Sequence, residues 1–207
     1  MFRRSLHRWM APALLAVLPL AACASAGTPG ATADDEEKPP PSIVGETHRA
    51  AVEAAEPEWV AAEVAAMPDA AAARSLTAVP PGAAVTVLFG TWCSDSRREL
   101  ARLWRALDDA GVYDESELPF ALDYVAVDRA KVEPAGRTEG MDLRYVPTFI
   151  VVRDGEEVGR VVEVSPNGIE GDLLALLTGV ATGVISARDD LGDGGGEAGE
   201  GGAALQP

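Results

Sequence analysis

The segment Gly90-Thr91-Trp92-Cys93-Ser94-Asp95-Ser96-Arg97-Arg98-Glu99 decides the fold of this 207-residue chain. The apolar run 85–89 before it predicts a buried strand. The large apolar residues after it recur at helical spacing, at Leu100, Leu103, Trp104 and Leu107. A cysteine at a strand-to-helix turn lies where free backbone N–H groups and the helix dipole can stabilise a thiolate. The segment therefore predicts a candidate reactive thiol, Cys93, at the start of a helix.

The region from residue 80 to residue 180 predicts an alternation of strands and helices. Proline and glycine at 80–82 mark its start, and Gly111 ends its first helix. Asp154-Gly155 predicts a tight hairpin turn between two strands. The predicted order is strand, helix, strand, linking helix, strand, strand and helix, at 84–89, 96–110, 120–127, 134–141, 148–152, 157–164 and a last segment with Ile169, Leu173, Leu176 and Leu177 on one face.

The N-terminus has the composition of an export signal. Arginines precede an apolar core at 9–20, which is shorter than the roughly 20 residues that a membrane span needs. Leu20-Ala21-Ala22-Cys23 then resembles the lipobox of bacterial lipoproteins. The resemblance implies that Cys23 begins the mature chain and carries a diacylglycerol with acyl chains such as palmitate. The alternative is an ordinary secreted protein cleaved after Ala24 or Ala26.

The lipobox resemblance implies a location in the cell envelope, where a lipid anchor at Cys23 would hold the protein to a membrane. Ala24 and Ser25 resemble the outer-membrane sorting pattern, which applies if the host has two membranes. The folded part would then face the periplasm or the exterior. The net charge of −16 predicts repulsion from nucleic-acid phosphates, so nucleic-acid binding is not expected.

Composition divides the chain into five regions. We expect a lipoprotein signal peptide at 1–22, a disordered tether at 23–42, an N-terminal helical extension at 43–79, an α/β domain at 80–180 and a disordered glycine-rich acidic tail at 181–207. In the extension, Val60, Val64 and Met67 recur at helical spacing with Trp59 beside them. The helical segments are expected to pack as a cap on the domain. His48 is interpreted as an ordinary surface histidine.

The order of elements, together with three motifs, resembles the thioredoxin fold over about residues 80–178. The motifs are the strand end and turn Phe89-Gly90-Thr91-Trp92-Cys93, the loop Val146-Pro147-Thr148, and the strand and hairpin 151–156. The resemblance implies an α/β fold of βαβ-ββα order, with a central mixed sheet flanked by helices and an N-terminal helical extension added. It also implies that Pro147 is a cis-proline lying across from Cys93. Within the superfamily, the Cys-x-x-Ser turn resembles a bacterial subgroup of thioredoxin-like proteins.

The chain departs from the thioredoxin pattern at the residues that carry the dithiol chemistry. Thioredoxins have a second cysteine where this chain has Ser96, and a serine hydroxyl cannot form the S–S bond that releases a mixed disulfide. Val87 stands where the resemblance places a buried acid. If Cys23 is lipidated, Cys93 is the single free thiol, because the chain has two cysteines. A dithiol cycle within the molecule is therefore excluded.

The candidate site residues follow from these motifs. Cys93 is the candidate nucleophile, and Ser96 could donate a hydrogen bond to its thiolate. Asp95 could oppose ionisation of the thiol through its charge, or cap the helix. The resemblance implies that Trp92, Val146 and Pro147 line a groove beside Cys93. The spacing of His, Cys, Asp and Glu predicts no metal site, and no cofactor is expected.

Three hypotheses for the function remain open at this stage. The first is a membrane-anchored monothiol protein that exchanges disulfides with protein thiols or disulfides of the envelope and requires an external thiol for turnover. The second is a redox-silent module that binds a peptide or protein in the same groove. The third is a thiol that senses oxidants through sulfenic acid formation. If the protein is an enzyme, it is expected to be a thiol-disulfide oxidoreductase of the monothiol type.

Overall fold

A six-stranded mixed sheet forms the centre of the computed structural model, which describes residues 42–191. Its strands are β1 (Gly45–Thr47), β2 (Ala83–Phe89), β3 (Ala121–Ala126), β4 (Thr148–Arg153), β5 (Glu156–Val162) and β6 (Gly183–Ile185). Its helices are α1 (Arg49–Ala55), α2 (Pro57–Ala65), α3 (Ala70–Leu76), α4 (Ser94–Asp109) and α5 (Ile169–Thr178), with short 3-10 helices at Glu115–Glu117 and Asp189–Leu191.

The strand order is β1-β3-β2-β4-β5-β6. β2 pairs in parallel with β3 and antiparallel with β4, and the β4–β5 hairpin turns at Asp154 and Gly155, which both have positive φ. Helix α4 connects β2 to β3, and α5 follows the hairpin. This is the thioredoxin fold, as the sequence predicted.

The core lies between the sheet and the helices. Many of its large side chains come from β2, α4 and α5, and the isoleucine and three leucines predicted on one face of α5 are all buried: Ile169, Leu173, Leu176 and Leu177. Trp104 of α4 donates a hydrogen bond from Nε1 to the hydroxyl of Tyr124 at 3.0 Å. That hydroxyl in turn donates to Glu115 at 2.6 Å, so the polar atoms of both buried rings are satisfied.

The N-terminal extension is part of this core. Trp59 of α2 is fully buried, with its ring centroid 5.6 Å from that of Phe89 in β2 and 5.6 Å from that of Trp104 in α4. The stripe with helical spacing points outward instead: Val60, Val64 and Met67 are 43%, 72% and 85% exposed. Glu63 takes the inward position beside Trp59 because Arg49 of α1 pairs with it.

Three sequence predictions differ from the structure. Residues 45–47, predicted to be helical, form β1 on the edge of β3, and residues 183–185, predicted to belong to the tail, form β6 on the edge of β5. The folded chain therefore continues beyond the predicted boundary at 180. The predicted helix at 134–141 is replaced by turns: Gly136 has a positive φ of 73°, and the Glu133 carboxylate accepts the backbone N–H groups of Ala135 and Arg137.

The predicted signal peptide 1–22, the tether with Cys23 and residues 192–207 of the predicted tail lie outside the described residues. Within residues 42–191, no helix is long and apolar enough to cross a membrane. His48 is the N-cap of α1, where its Nδ1 accepts the N–H of Ala51 at 3.2 Å. This local contact matches the structural interpretation of His48.

Candidate functional site

Cys93 lies at the junction between β2 and α4. It is the N-cap of α4, with extended backbone angles (φ −100°, ψ 124°), and its side chain is half-buried. Its N–H donates to Gly90 O at 3.0 Å, and its carbonyl accepts the N–H of Arg97 at 3.1 Å. These two bonds fix the turn and place the sulfur at the positive end of the helix dipole. Among residues 42–191, Cys93 is the one cysteine, and its thiol is free.

The thiol faces the loop before β4. The peptide bond between Val146 and Pro147 is cis, and both residues are buried. The Cys93 thiol donates a hydrogen bond to Val146 O at 3.3 Å. On the other side of this loop, Pro147 O accepts the N–H of Glu163 at 2.7 Å. The structure thus brings together three residues that the sequence predicted to lie side by side. The hydrogen bond from Cys93 to Val146 O is one that only the protonated thiol can donate.

Ser96 stabilises the turn between β2 and α4. Its side chain is fully buried, and its Oγ accepts the N–H of Gly90 at 3.2 Å. Within the part of the chain that the structure describes, no hydrogen bond joins Ser96 to Cys93. The position that holds a second thiol in thioredoxins therefore holds a hydroxyl bonded to the backbone of the turn.

Asp95 does not cap the helix. Cys93 occupies the N-cap position, and no side chain accepts a capping hydrogen bond there. Asp95 lies in the first turn of α4 and accepts a hydrogen bond from Arg98 at 2.7 Å. Such a pair at the surface contributes about 0–1 kcal/mol, and it partly neutralises the carboxylate beside the thiol.

Trp92 forms the side of the site that faces β3. Its Nε1 donates to Val127 O at 3.0 Å, just past the end of β3. The ring lies over Gly90, where a Cβ atom would come within 2.5 Å of the indole. The guanidinium carbon of Arg129 is 5.1 Å from the ring centroid. The ring is therefore held between the turn and the loop after β3.

The N-terminal extension borders the site on the α4 side. Arg97, in the first turn of α4, pairs with Glu58 of α2 at 3.0 Å. Burial and the neighbouring Glu58 raise the pKa of Glu56, which precedes α2 and lies near Arg97. Sequence reasoning missed this contribution, because no local pattern links residues 56–58 to the turn at Cys93.

Val87 and the remaining polar residues offer no further chemistry at this site. Val87 is fully buried in β2, between Tyr124 of β3 and Phe149 of β4, so its position holds no acid. Across residues 42–191, no group of three His, Cys, Asp or Glu side chains could hold a metal ion.

No family model and no curated protein matches this chain. Among solved structures, it is similar to an HIV epitope scaffold at 18% identity, covering 66% of this chain and 94% of that one with a TM-score of 0.48. It is also similar to a protein of unknown function from Pseudomonas aeruginosa, at 18% identity, 67% and 95% coverage and a TM-score of 0.44. A thioredoxin pre-protein from Schistosoma mansoni matches at 26% identity, 55% and 91% coverage and a TM-score of 0.29. Strand order and connectivity carry the conclusion that the chain has a thioredoxin-like fold.

Proposed function

We propose that this protein is a membrane-anchored, thioredoxin-like protein of the cell envelope with one exchange-active thiol. The observation that carries the proposal is the placement of Cys93 at the N-terminus of α4, across from the cis-proline loop, with a buried serine at the second position. A thiol there is accessible to a partner and receives the helix dipole, yet has no neighbouring thiol to release it.

The proposed reaction is thiol-disulfide exchange with a partner protein. The Cys93 thiolate attacks one sulfur of a partner disulfide, an S–S bond forms between them, and the partner's other sulfur leaves as a thiolate. The partner disulfide is thereby split, and the mixed disulfide persists because Ser96 cannot attack it. An external thiol then reduces the mixed disulfide and restores Cys93. The surface opposite, at Val146 and Pro147, would hold the partner's backbone.

A trapping experiment tests this proposal. Full-length protein recovered from membranes after alkylation of free thiols should give complexes on non-reducing gels that disappear on reduction. The Cys93→Ser variant should lose them, because the isosteric hydroxyl cannot form the S–S bond. Complexes that are equally abundant in the variant would contradict exchange at Cys93.

Anchoring through a lipid on Cys23 is a separate part of the proposal. It is supported by the Leu20-Ala21-Ala22-Cys23 motif. Two or more acyl chains would bind a membrane stably, at about 0.8 kcal/mol for each buried methylene. Cys23→Ala should release the protein from the membrane fraction or leave its signal uncleaved, whereas Cys93→Ala should stay membrane-bound. Membrane retention and normal processing of Cys23→Ala would overturn the anchor.

One observation favours a second function, a redox-silent binding module. The Cys93 thiol donates a hydrogen bond to Val146 O, so in this arrangement the thiol is already bound to the loop that lines the groove. A partner peptide could then be held by the groove with no covalent step. This alternative predicts that Cys93→Ser retains its partners, because a serine hydroxyl can make the same hydrogen bond.

A further inference from the structure

Arg129 is one of the cations in residues 42–191 that form no ion pair there. Nine arginines form ion pairs with carboxylates in residues 42–191: Arg49, Arg97, Arg98, Arg102, Arg105, Arg137, Arg144, Arg160 and Arg188. Arg129 forms none within the same residues and is exposed. Its neighbour Asp128 is engaged elsewhere, since its Oδ1 accepts the backbone N–H groups of Ala130 and Val132. An exposed cation with no carboxylate partner among residues 42–191, in a chain of net charge −16, is open to an external anion.

The position of Arg129 is fixed against the active-site turn. The guanidinium carbon lies 5.1 Å from the centroid of the Trp92 ring, within the range of a cation–π contact. The ring itself is held by its hydrogen bond to Val127 O and by the absence of a side chain at Gly90. Trp92 is adjacent to Cys93, so the guanidinium stands on the rim of the site on the β3 side.

The two arginines on the α4 side of the site are already paired. Arg97 pairs with Glu58 at 3.0 Å and Arg98 with Asp95 at 2.7 Å, both on the α4 side. Arg129 is thus the charge of the rim that a partner can use without breaking an ion pair. A guanidinium recognises a carboxylate through two parallel N–H···O bonds, which an ammonium cannot reproduce.

We propose that Arg129, held on the Trp92 ring, binds a carboxylate that lies beside the disulfide attacked by Cys93. The inference rests on the proposed exchange function and specifies its substrate class, namely disulfides with an acidic group close to the sulfur. The net negative charge of the chain does not oppose this, because at physiological ionic strength charges beyond about 8 Å are largely screened, whereas the contact with Arg129 is direct. Arg129 is a specificity residue and takes no part in the S–S chemistry.

Two small disulfides separate this inference from the exchange chemistry itself. The reagent 5,5′-dithiobis(2-nitrobenzoate) is a dianion, with one carboxylate on each of its two sulfur-bearing aromatic rings. The reagent 4,4′-dithiodipyridine is neutral. With either reagent, Cys93 sulfur forms an S–S bond to one half, and the other half leaves as a coloured thiolate or thione. Rates are measured on the full-length protein in detergent, and the Cys93→Ser variant provides the subtraction for any reaction of Cys23.

Arg129→Ala should slow the reaction with the dianionic reagent about two- to fivefold, the range of an exposed ion pair, and leave the neutral reagent unaffected. Arg129→Lys should restore part of the preference, and added salt should reduce it in the wild type. The matched control is Arg74→Ala, which removes an exposed arginine of α3 that also forms no ion pair within residues 42–191 and should change neither rate.

The outcomes are distinguishable. A selective loss with the dianionic reagent in Arg129→Ala, absent in Arg74→Ala, supports the inference. Equal rates for wild type and Arg129→Ala, or equal slowing with both reagents, overturn the inference and leave exchange at Cys93 intact. If Cys93 reacts with neither reagent, the exchange function fails, and the substrate class falls with it.

Discussion

Among the single residues of the site, Gly90 is important because it has no side chain. Gly90 directly follows the last residue of β2, and the Trp92 indole lies within 2.5 Å of the place that a Cβ atom on Gly90 would occupy. The N–H of Gly90 also donates to the buried Ser96 hydroxyl. Gly90 therefore determines how far Trp92 can close over the turn, and through Trp92 it determines the wall beside Cys93.

Gly90→Ala should destabilise the protein by about 1–3 kcal/mol, the usual cost of forcing an extra methyl group into a packed position. Gly171→Ala is the matched control. Gly171 lies in α5, and a Cβ atom there would meet only Asn167, at 3.8 Å. That control should stabilise the protein by about 0.5–1 kcal/mol, the difference in helix propensity. Urea unfolding of both variants measures the two changes, and a neutral Gly90→Ala would contradict the packing of Trp92.

Ser96 determines whether the site can release its own mixed disulfide. Ser96→Cys should create insulin-disulfide reductase activity that the wild type lacks, because the introduced thiol would attack the mixed disulfide on Cys93 and expel the partner. Ser96→Ala removes the same hydroxyl without adding a thiol and should stay inactive. Measurable insulin reduction by the wild type would show that a second thiol is not needed.

For single residues, the sequence predicted which of them lie together, but it did not predict the hydrogen bonds and ring contacts that they form. Cys93, Val146 and Pro147 form one site as expected, because the turn motif is local and the fold brings the proline loop to it. The contact between Arg129 and Trp92 joins two separate loops. No periodicity or spacing marks such a contact, so it became visible only in the folded chain.

The N-terminal extension is the element whose role differs most from expectation. Its spacing at Val60, Val64 and Met67 indicated an apolar face, yet those side chains are exposed and Trp59 is buried. The Trp59 ring packs against both Phe89 and Trp104, and Glu63 lies on the same inward face, where Arg49 pairs with it. Periodicity alone could not choose between these faces.

Trp59→Ala should cost about 3–5 kcal/mol, since it leaves a cavity in the core beside Phe89, the last residue before the Cys93 turn. Val60→Ala, one residue away on the exposed side of the same helix, should change stability by no more than about 0.5 kcal/mol. Urea unfolding of the two variants compares them directly. Similar small effects in both would mean that the extension is a detachable cap.

A shared arginine links the elements of the extension to α4. Arg49 of α1 donates hydrogen bonds to Asp108 of α4 at 2.8 and 2.7 Å, and it also pairs with Glu53 and Glu63. Burial is the largest cause that raises the pKa of Glu63, Arg49 opposes it, and the neighbouring Glu53 and Asp108 add to it, so that the pKa is about 7. Glu63 therefore binds its proton more tightly in the folded protein than in the unfolded chain.

The stability of the wild type should fall as pH rises from about 4.5, the ordinary pKa of a glutamate, to about 7, because over this range the folded state binds a proton that the unfolded state has released. Glu63→Gln should remove this part of the pH dependence. Buried Glu99 and half-buried Glu115, whose pKa values are also raised by loss of solvent, remain in both proteins and cancel in the comparison. The test compares the urea midpoints of wild type and Glu63→Gln at pH 5 and pH 8. If the midpoint changes equally with pH in both proteins, the assignment is contradicted.

At the scale of the whole molecule, long elements with strong signals were predictable and short ones were not. The β4–β5 hairpin was marked by Asp154-Gly155 and α4 by its apolar spacing, and both lie within a few residues of expectation. The edge strands β1 and β6 have three residues each, too few for an alternation pattern to register. Pairing with β3 and β5 creates them, so they depend on the tertiary structure.

The proposed function depends on the exchange activity of one sulfur. The most direct measurement is the rate at which Cys93 of the full-length protein reacts with neutral 4,4′-dithiodipyridine at pH 7, compared with glutathione at the same pH, with Cys93→Ser as the blank. We expect Cys93 to react faster than glutathione, because its sulfur lies at the positive end of the α4 dipole. A rate below that of glutathione would mean that the thiol stays bound to Val146 O, and it would contradict the exchange function in favour of a binding module.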